Sequence, residues 1–264
     1  MSKVATLPVR LAIAVPTYNE SKNVTKLIKR IKNATSKTVI SCTVLIIDDN
    51  SPDGTGDIAD KLAAQENNSA FKVHVLHRNA KQGFDKAYIA GFRELLKGNF
   101  THIMQMDADL SHNPKYIPQF IQALPAADFV VGSRYIKSGG TPDWALYRRL
   151  LSRFGNIYAR LFLGNSIHDY TGGFNLFSTR LLKSINPDSL KADGYGFLVE
   201  LKYRAVKRCQ HVKEVPIVFT DRQHGVSKLP RSTILKNLLL VPKLALSSQQ
   251  VASKTINNLM KPES

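Results

Sequence analysis

Apolar and polar positions in the first half of the chain alternate between two periods. Leu11–Val15 is an unbroken apolar run, as in a strand buried on both faces, and Val44–Ile47, Val73–Leu76, Ile103–Met106 and Phe129–Val131 repeat it. Between these runs apolar residues recur at helical spacing. Val24, Leu27, Ile28 and Ile31 follow a Ser21 suited to cap a helix, and Ile117, Phe120, Ile121 and Leu124 form a later stripe. Further helices are predicted near Asp57–Gln65 and Lys86–Leu96. Short buried strands alternating with amphipathic helices predict an α/β domain whose mostly parallel sheet is covered on both faces. Ligands of such sheets bind beyond the carboxyl ends of the strands. Asp48 and Asp49 close the second apolar run, and Asp107, Ala108 and Asp109 follow the fourth. All four aspartates are therefore expected along one edge, facing one cleft.

The second half changes character. Leu146–Leu163 predicts one long helix with apolar Leu146, Leu150, Phe154, Ile157, Tyr158, Leu161 and Phe162, interleaved with Arg148, Arg149, Arg153 and Arg160. Residues 228–246 mix apolar positions with Lys228, Arg231, Lys236 and Lys243 in the same way. Such helices suit the surface of an anionic membrane, although a core-packed helix with a solvated basic side gives the same pattern. The expected organisation is an α/β domain over residues 1–229, including the helix at about 144–163. A basic amphipathic, membrane-associated segment over 230–264 follows it.

Composition narrows the classes. With 264 residues, 43% of them hydrophobic, the chain can bury a real core. A formal charge of +17 implies an anionic partner: nucleic acid, anionic lipid headgroups or a phosphorylated substrate. Cys42 and Cys209 lie far apart without CxxC spacing, which predicts reduced thiols in a cytoplasmic protein and neither a zinc site nor a disulfide framework. Met1–Val9 lacks the apolar stretch of a signal peptide. Leu238–Leu246 contains Pro242 and Lys243 and falls short of the roughly 20 apolar residues that span a bilayer.

Asp107 and Asp109 at a strand end can hold a hard divalent cation, and a cation bridging a diphosphate would neutralise charge on a leaving group. Asp-x-Asp alone is common by chance; its position after a strand, before Leu110-Ser111-His112-Asn113-Pro114, raises its weight. Gly54-Thr55-Gly56-Asp57-Ile58-Ala59 fits a loose dinucleotide pattern but starts too far past its strand, so these glycines read as turn residues. No Walker lysine motif and no Gly-x-Ser-x-Gly elbow occurs, and His74 and His77 point to opposite faces of one strand.

Seven segments in fixed order carry a family resemblance. They are Pro16-Thr17-Tyr18-Asn19-Glu20, Ile46-Ile47-Asp48-Asp49-Asn50-Ser51-Pro52-Asp53-Gly54-Thr55, Met106-Asp107-Ala108-Asp109-Leu110-Ser111-His112 and Gly132-Ser133-Arg134-Tyr135. Arg148-Arg149-Leu150-Leu151-Ser152-Arg153, Asp169-Tyr170-Thr171-Gly172-Gly173-Phe174 and Asp221-Arg222-Gln223-His224-Gly225-Val226-Ser227-Lys228 complete the set. From about residue 10 to 240 the chain resembles the dolichol-phosphate mannosyltransferases, members of glycosyltransferase family 2 with the GT-A fold.

The resemblance implies inverting transfer of mannose from GDP-mannose to a dolichyl or polyprenyl phosphate. It implies that Pro16, Tyr18, Glu20 and Asp49 hold the nucleoside, with Asp48 beside them. Asp107, Ala108 and Asp109 would lie against the diphosphate, with Asp107, Asp109 and Ser111 holding Mg2+ or Mn2+. Arg134, Arg148 and Ser152 would grip the lipid phosphate, and Arg222 and Lys228 would close over the phosphates. Asp109, Arg134 and Arg148 are the implied catalytic residues. The acceptor phosphate is already anionic and needs no general base, so Glu200 is expected to orient groups rather than to take a proton.

Asn175, Asp85 and Leu198 depart from the family pattern near the substrate regions, which leaves glucose from a UDP donor as the nearest alternative. Nucleic-acid binding rests on charge alone, without the modules or aromatic platforms it needs, and is not expected. The expected location is peripheral, on the cytoplasmic face of a membrane: the endoplasmic reticulum in a eukaryote, the plasma membrane in a prokaryote. The chain would be held there by its own basic helices or by a small membrane-anchoring subunit.

Overall fold

The computed structural model describes residues 9–36, 40–221 and 238–246. Strands β1 (Val9–Thr17), β2 (Ile40–Asp48), β3 (Phe71–His77), β4 (His102–Gln105), β5 (Phe129–Ser133), β6 (Asn175–Ser178) and β7 (Val212–Pro216) form one sheet. Their order is β3-β2-β1-β4-β6-β5-β7, with β6 antiparallel to both neighbours and every other pair parallel. The helices are α1 (Val24–Thr35), α2 (Thr55–Gln65), α3 (Phe84–Leu95), α4 (Ile117–Ala123), α5 (Leu146–Leu163), α6 (Thr179–Ile185) and α7 (Tyr195–Arg208).

The alternation of β1 divides the core. Leu11, Ile13 and Val15 pack with Val24, Leu27, Ile28 and Ile31 of α1, while Ala12 and Ala14 join the cluster on the other face. Those small side chains let α3 approach closely. A Cβ at Gly91 would collide with Ile47 and come within 3.8 Å of Ala14, so glycine is required there. Register pairs Thr17 with Asp48 and Ala14 with Gln105, which brings the carboxyl ends of β1, β2 and β4 together. The loops leaving these ends pass through left-handed backbone at Asn19 (φ 60°), Asn50 (φ 57°) and Leu110 (φ 65°). Asparagine takes that conformation at little cost; leucine does not, and Leu110 is held there by burial.

The expected strands and helices of the first half are all present with small shifts of boundary. One local expectation fails. Ser21 does not cap α1: Asn23 occupies the cap position, and Ser21 N–H donates to Asp53 Oδ2 at 3.1 Å instead. A turn over residues 21–23 intervenes and delays the helix start.

Helix α5 has the predicted span and buries only Asn156, Ala159 and Leu163 of its 18 residues. Leu146, Tyr147, Leu150, Phe154, Ile157 and Leu161 are exposed. Residues 238–246 are helical and lie against α5, where Tyr158 Oη donates to the Leu238 carbonyl at 2.8 Å. Val241 and Leu244 of this stretch enter the core, whereas Leu239 and Leu246 stay exposed.

Candidate active site

Two cavities open at the carboxyl edge of the sheet. The first is an acidic cleft of about 350 Å3 whose walls include Pro16, Tyr18, Glu20, Asp49, Asp107, Ala108 and Asp109. Of the expected nucleoside and diphosphate residues among the described ones, only Asp48 is missing from the cleft. Its carboxylate turns inward, accepting from Thr17 Oγ1 (3.1 Å), Ser51 Oγ (2.6 Å) and Ser51 N–H (3.1 Å). A Cβ at Gly56 would come within 3.2 Å of the same carboxylate. Asp48 therefore organises the turn after β2, behind the wall of the cleft that its neighbour Asp49 lines. Asp49 is gripped by the Arg78 guanidinium and receives Gln82 N–H at 3.4 Å.

Lys81 also lines the cleft, with its ammonium 3.9 Å from the centre of the Tyr18 ring. Neither Arg78 nor Lys81 was singled out from sequence. The available signal was their position just past the carboxyl end of β3, on the same edge as the aspartates.

The Asp107–Asp109 turn is over-determined by its neighbours. Tyr88 Oη donates to Asp107 Oδ1 at 2.7 Å; burial and then the Asp107 charge push the phenol up, so it remains a donor. The backbone N–H of Asp107 donates to His112 Nδ1 at 3.0 Å, which fixes the unprotonated nitrogen of that ring. Burial pushes His112 down, only partly opposed by Asp107 and Asp109, so it stays neutral. Asp109 Oδ1 accepts from Ser111 N–H (3.1 Å) and Ser111 Oγ (2.5 Å). Ser111, expected as a metal ligand, thus holds Asp109 in place and lines neither cavity.

Among the described residues no group of three or more His, Cys, Asp or Glu is placed to hold a metal. Two carboxylates on one cleft still suit a hard divalent cation that takes its remaining ligands from diphosphate oxygens and water. The donor set fits Mg2+ or Mn2+ with a bound nucleotide better than a closed protein cage.

The second cavity, about 290 Å3, is apolar and basic. Helix α5 supplies Arg148, Leu151, Ser152, Phe154 and Tyr158; Val199, Leu238 and Val241 add apolar wall. Arg134 lines it from the end of β5. Its Nε and Nη2 bind the Asp169 carboxylate at 2.7 and 2.8 Å, and Nη2 also donates to Thr171 Oγ1 at 2.8 Å. Burial opposes both charges, yet their mutual attraction wins: Arg134 is raised and Asp169 is held well below the usual carboxylate range. Arg148 donates through Nη1 to Asp221 Oδ1 at 2.8 Å and stacks 3.9 Å from the centre of the Trp144 ring. Tyr135 Oη donates to Ser152 Oγ at 2.6 Å. Arg134, Arg148 and Ser152 therefore line one cavity. Arg222 and Lys228 lie outside the described residues.

Asp107, Tyr195 and Leu198 line both cavities, so the two meet at Asp107. Glu200 reaches neither. It accepts from Lys191 N–H (3.0 Å) and Ala192 N–H (2.8 Å) and pairs with Arg204, so it orders the loop before α7. Asn175 is buried beside Gln105, donating to its Oε1 at 2.8 Å.

A sequence profile described as glycosyl transferase family 2 matches residues 12–185, the span that supplies all of the acidic cleft's lining except Tyr195 and Leu198, and most of the second cavity's. The chain belongs to glycosyl transferase family 2. Within the family, an undecaprenyl-phosphate mannosyltransferase of Micrococcus luteus is 36% identical over 240 residues, which cover 91% of this chain and 96% of that protein. A polyprenol monophosphomannose synthase of Mycolicibacterium smegmatis is 38% identical over 233 residues, 88% of this chain and 85% of that one. Among solved structures, glucosyl-3-phosphoglycerate synthase of Mycobacterium tuberculosis in complex with UDP matches with a TM-score of 0.58 at 18% identity, over 90% of this chain and 79% of that one. The same synthase with Mn2+, UDP and glucosyl-3-phosphoglycerate matches at 17% identity with a TM-score of 0.58. These structural likenesses carry the fold, which is the GT-A arrangement expected for a family 2 glycosyltransferase.

Proposed function

We propose that this family 2 enzyme transfers mannose from GDP-mannose to a polyprenyl or dolichyl phosphate, giving a polyprenyl β-mannosyl phosphate and GDP. The observation that carries this reading is the junction of two unlike cavities at Asp107: one acidic, one apolar with two arginines. The printed names of the relatives at 36% and 38% identity support mannose and a polyprenyl phosphate as substrates. GDP as the carrier follows from the family resemblance.

In this reading Tyr18 and Pro16 pack the nucleoside and Glu20 and Asp49 accept its polar hydrogens. A divalent cation held by Asp107 and Asp109 would offset charge on the diphosphate. The acceptor phosphate lies against Arg148, Ser152 and the remaining Nη1 donors of Arg134, with its first isoprene units along Leu151, Phe154 and Tyr158. Guanidinium groups suit phosphate oxygens, and holding two anions together is the main task of the protein. A phosphate oxygen forms the new bond to the anomeric carbon as the bond to GDP breaks, and GDP leaves with the electron pair. No proton need be taken from the acceptor. This matches a cavity whose lining, among the described residues, contains Asp107 as its one carboxylate and a neutral His112.

The exposed apolar and arginine-bearing faces of α5 would rest on an anionic membrane surface, delivering the lipid from the side on which the second cavity opens. No helix among the described residues is long and apolar enough to cross a membrane. In this reading attachment is peripheral, on the cytoplasmic face of the membrane. A small anchoring subunit would add to it.

The test is transfer itself. Full-length protein is incubated with Mn2+, radiolabelled GDP-mannose and a polyprenyl phosphate in vesicles, and label is followed into the organic phase. Acid-labile lipid-bound mannose supports the reading. Transfer from UDP-glucose alone would replace the donor, and absence of transfer from every nucleotide sugar would remove the function.

A further inference from the structure

Lys202 is a fully buried lysine that the mechanism above does not use. Burying an ammonium is costly unless it is paired, so its place in the core calls for an explanation. It lies on α7, one turn beyond Leu198 and Val199, which line the basic cavity. Its Nζ donates to the backbone carbonyl of Asp169 at 2.5 Å.

Asp169 is the residue whose carboxylate grips Arg134, and its turn is drawn tight around that contact. Asp169 Oδ1 accepts the N–H groups of Thr171 (3.2 Å) and Gly172 (2.9 Å), and Oδ2 accepts Arg134 N–H at 3.1 Å. Thr171 in turn accepts from Arg134 Nη2 and from Asn156 Nδ2 (3.0 Å) of α5. One hydrogen-bonded chain thus runs from Lys202 through the Asp169 turn to the guanidinium at the cavity wall. Arg134 and Lys202 flank a single carboxylate, so the group carries one net positive charge when both cations are protonated.

We infer that Lys202 is a positioning residue for the acceptor phosphate: it fixes the Asp169 turn that aims Arg134 and leaves the buried cluster with a net positive charge behind the cavity. This rests on the proposed acceptor reading of that cavity. Burial pushes Lys202 down to about 8, with Asp169 pulling the other way, so its charge is present at neutral pH and lost just above it. The charged groups facing the ammonium are Asp169, Arg134 and Glu214, with neutral His112 near it. On its own helix, Glu200 is paired with Arg204. Lys202 is the group that burial brings into the range just above neutral pH.

The test compares wild-type enzyme and Lys202→Met, a variant of similar length without charge, from pH 7 to pH 9.5. The acceptor is a short polyprenyl phosphate, and donor and acceptor KM are measured separately. In the wild type, acceptor KM should rise about tenfold across the range while donor KM changes less than about twofold. Lys202→Met should show the high acceptor KM at every pH, with the alkaline rise gone. A variant that matches wild type in acceptor KM and keeps the rise overturns the inference, as does an equal loss of both substrates. Should Lys202→Met fail to fold, the wild-type profile decides alone, and a flat acceptor KM overturns the proposal. Wild-type enzyme that transfers to no polyprenyl phosphate would instead overturn the acceptor reading beneath it.

Discussion

The acidic cleft and the basic cavity share Asp107, Tyr195 and Leu198 and otherwise solve opposite problems. The cleft concentrates carboxylates on strand-end turns, held by hydrogen bonds such as Ser111 to Asp109 and Tyr88 to Asp107. On the proposed reading it takes a cation and the diphosphate that accompanies it. The cavity concentrates guanidinium groups on an apolar wall, and its main contributor is a helix that leaves most of its surface uncovered. On the proposed reading, one side of Asp107 would meet its anion with a metal and the other with arginine. The contrast shows how one edge of a sheet can bring together two phosphate-bearing substrates that would otherwise repel.

That contrast can be broken from either side. The largest effect is expected at Asp109→Asn, which keeps the shape of the turn and removes a charge from the cleft. Turnover should fall by about a thousandfold with acceptor binding intact, since displaced electrostatic groups in sites of this kind cost that much. Steady-state kinetics with titrated Mn2+ checks it, and full activity in the variant would end the metal assignment.

Arg134→Met should instead be felt in the fold, because it leaves Asp169 buried without its partner. A loss of about 3 kcal/mol in chemical denaturation at pH 7 is expected. The pH dependence follows from the same pair. Asp169 is depressed in the folded state, so its contribution is complete above the ordinary carboxylate value of about 4 and is lost as pH falls below it. Acidification should accordingly destabilise the wild type more steeply than the variant.

Arg148→Ala sharpens the comparison further. The Arg148 side chain is about one-third exposed and bound to the rim through Asp221 and Trp144, so the fold should tolerate its loss. Acceptor KM should rise about tenfold, near 1.4 kcal/mol, while donor KM stays within twofold. Equal effects on both substrates would move Arg148 out of the acceptor cavity. The smallest effect on chemistry belongs to Leu161→Glu, at a position 77% exposed. Removing one apolar anchor should weaken co-sedimentation with anionic vesicles by about tenfold and leave transfer to a detergent-dispersed acceptor unchanged.

How much of this was legible in the sequence also divides along the two regions. The cleft was largely readable, because β1, β2 and β4 announce themselves as buried apolar runs, and those of β2 and β4 lead directly into carboxylates. The inward turn of Asp48 was not, since nothing in Asp48-Asp49 says which carboxylate Ser51 and Thr17 will claim. The basic cavity was readable as helix α5 and its arginines. Strand β6 was not: four residues, antiparallel between β4 and β5, carry too short a pattern to distinguish from a loop. Helix α7 also escaped, because it is buried on most sides, with Lys202 and Glu200 inside, and has no clean polar face to mark its period. Arg134 was expected to meet phosphate directly; its bidentate commitment to Asp169 depends on a contact 35 positions away that spacing cannot supply.

The central claim is a single displacement across Asp107, with the acceptor phosphate attacking from the basic cavity. Its most direct test is the anomeric configuration of the product made from GDP-α-mannose, read from the one-bond carbon–hydrogen coupling at C1 by NMR. The account predicts the β-linked mannosyl phosphate. An α-linked product would mean net retention, which a single in-line displacement cannot give, and would contradict it.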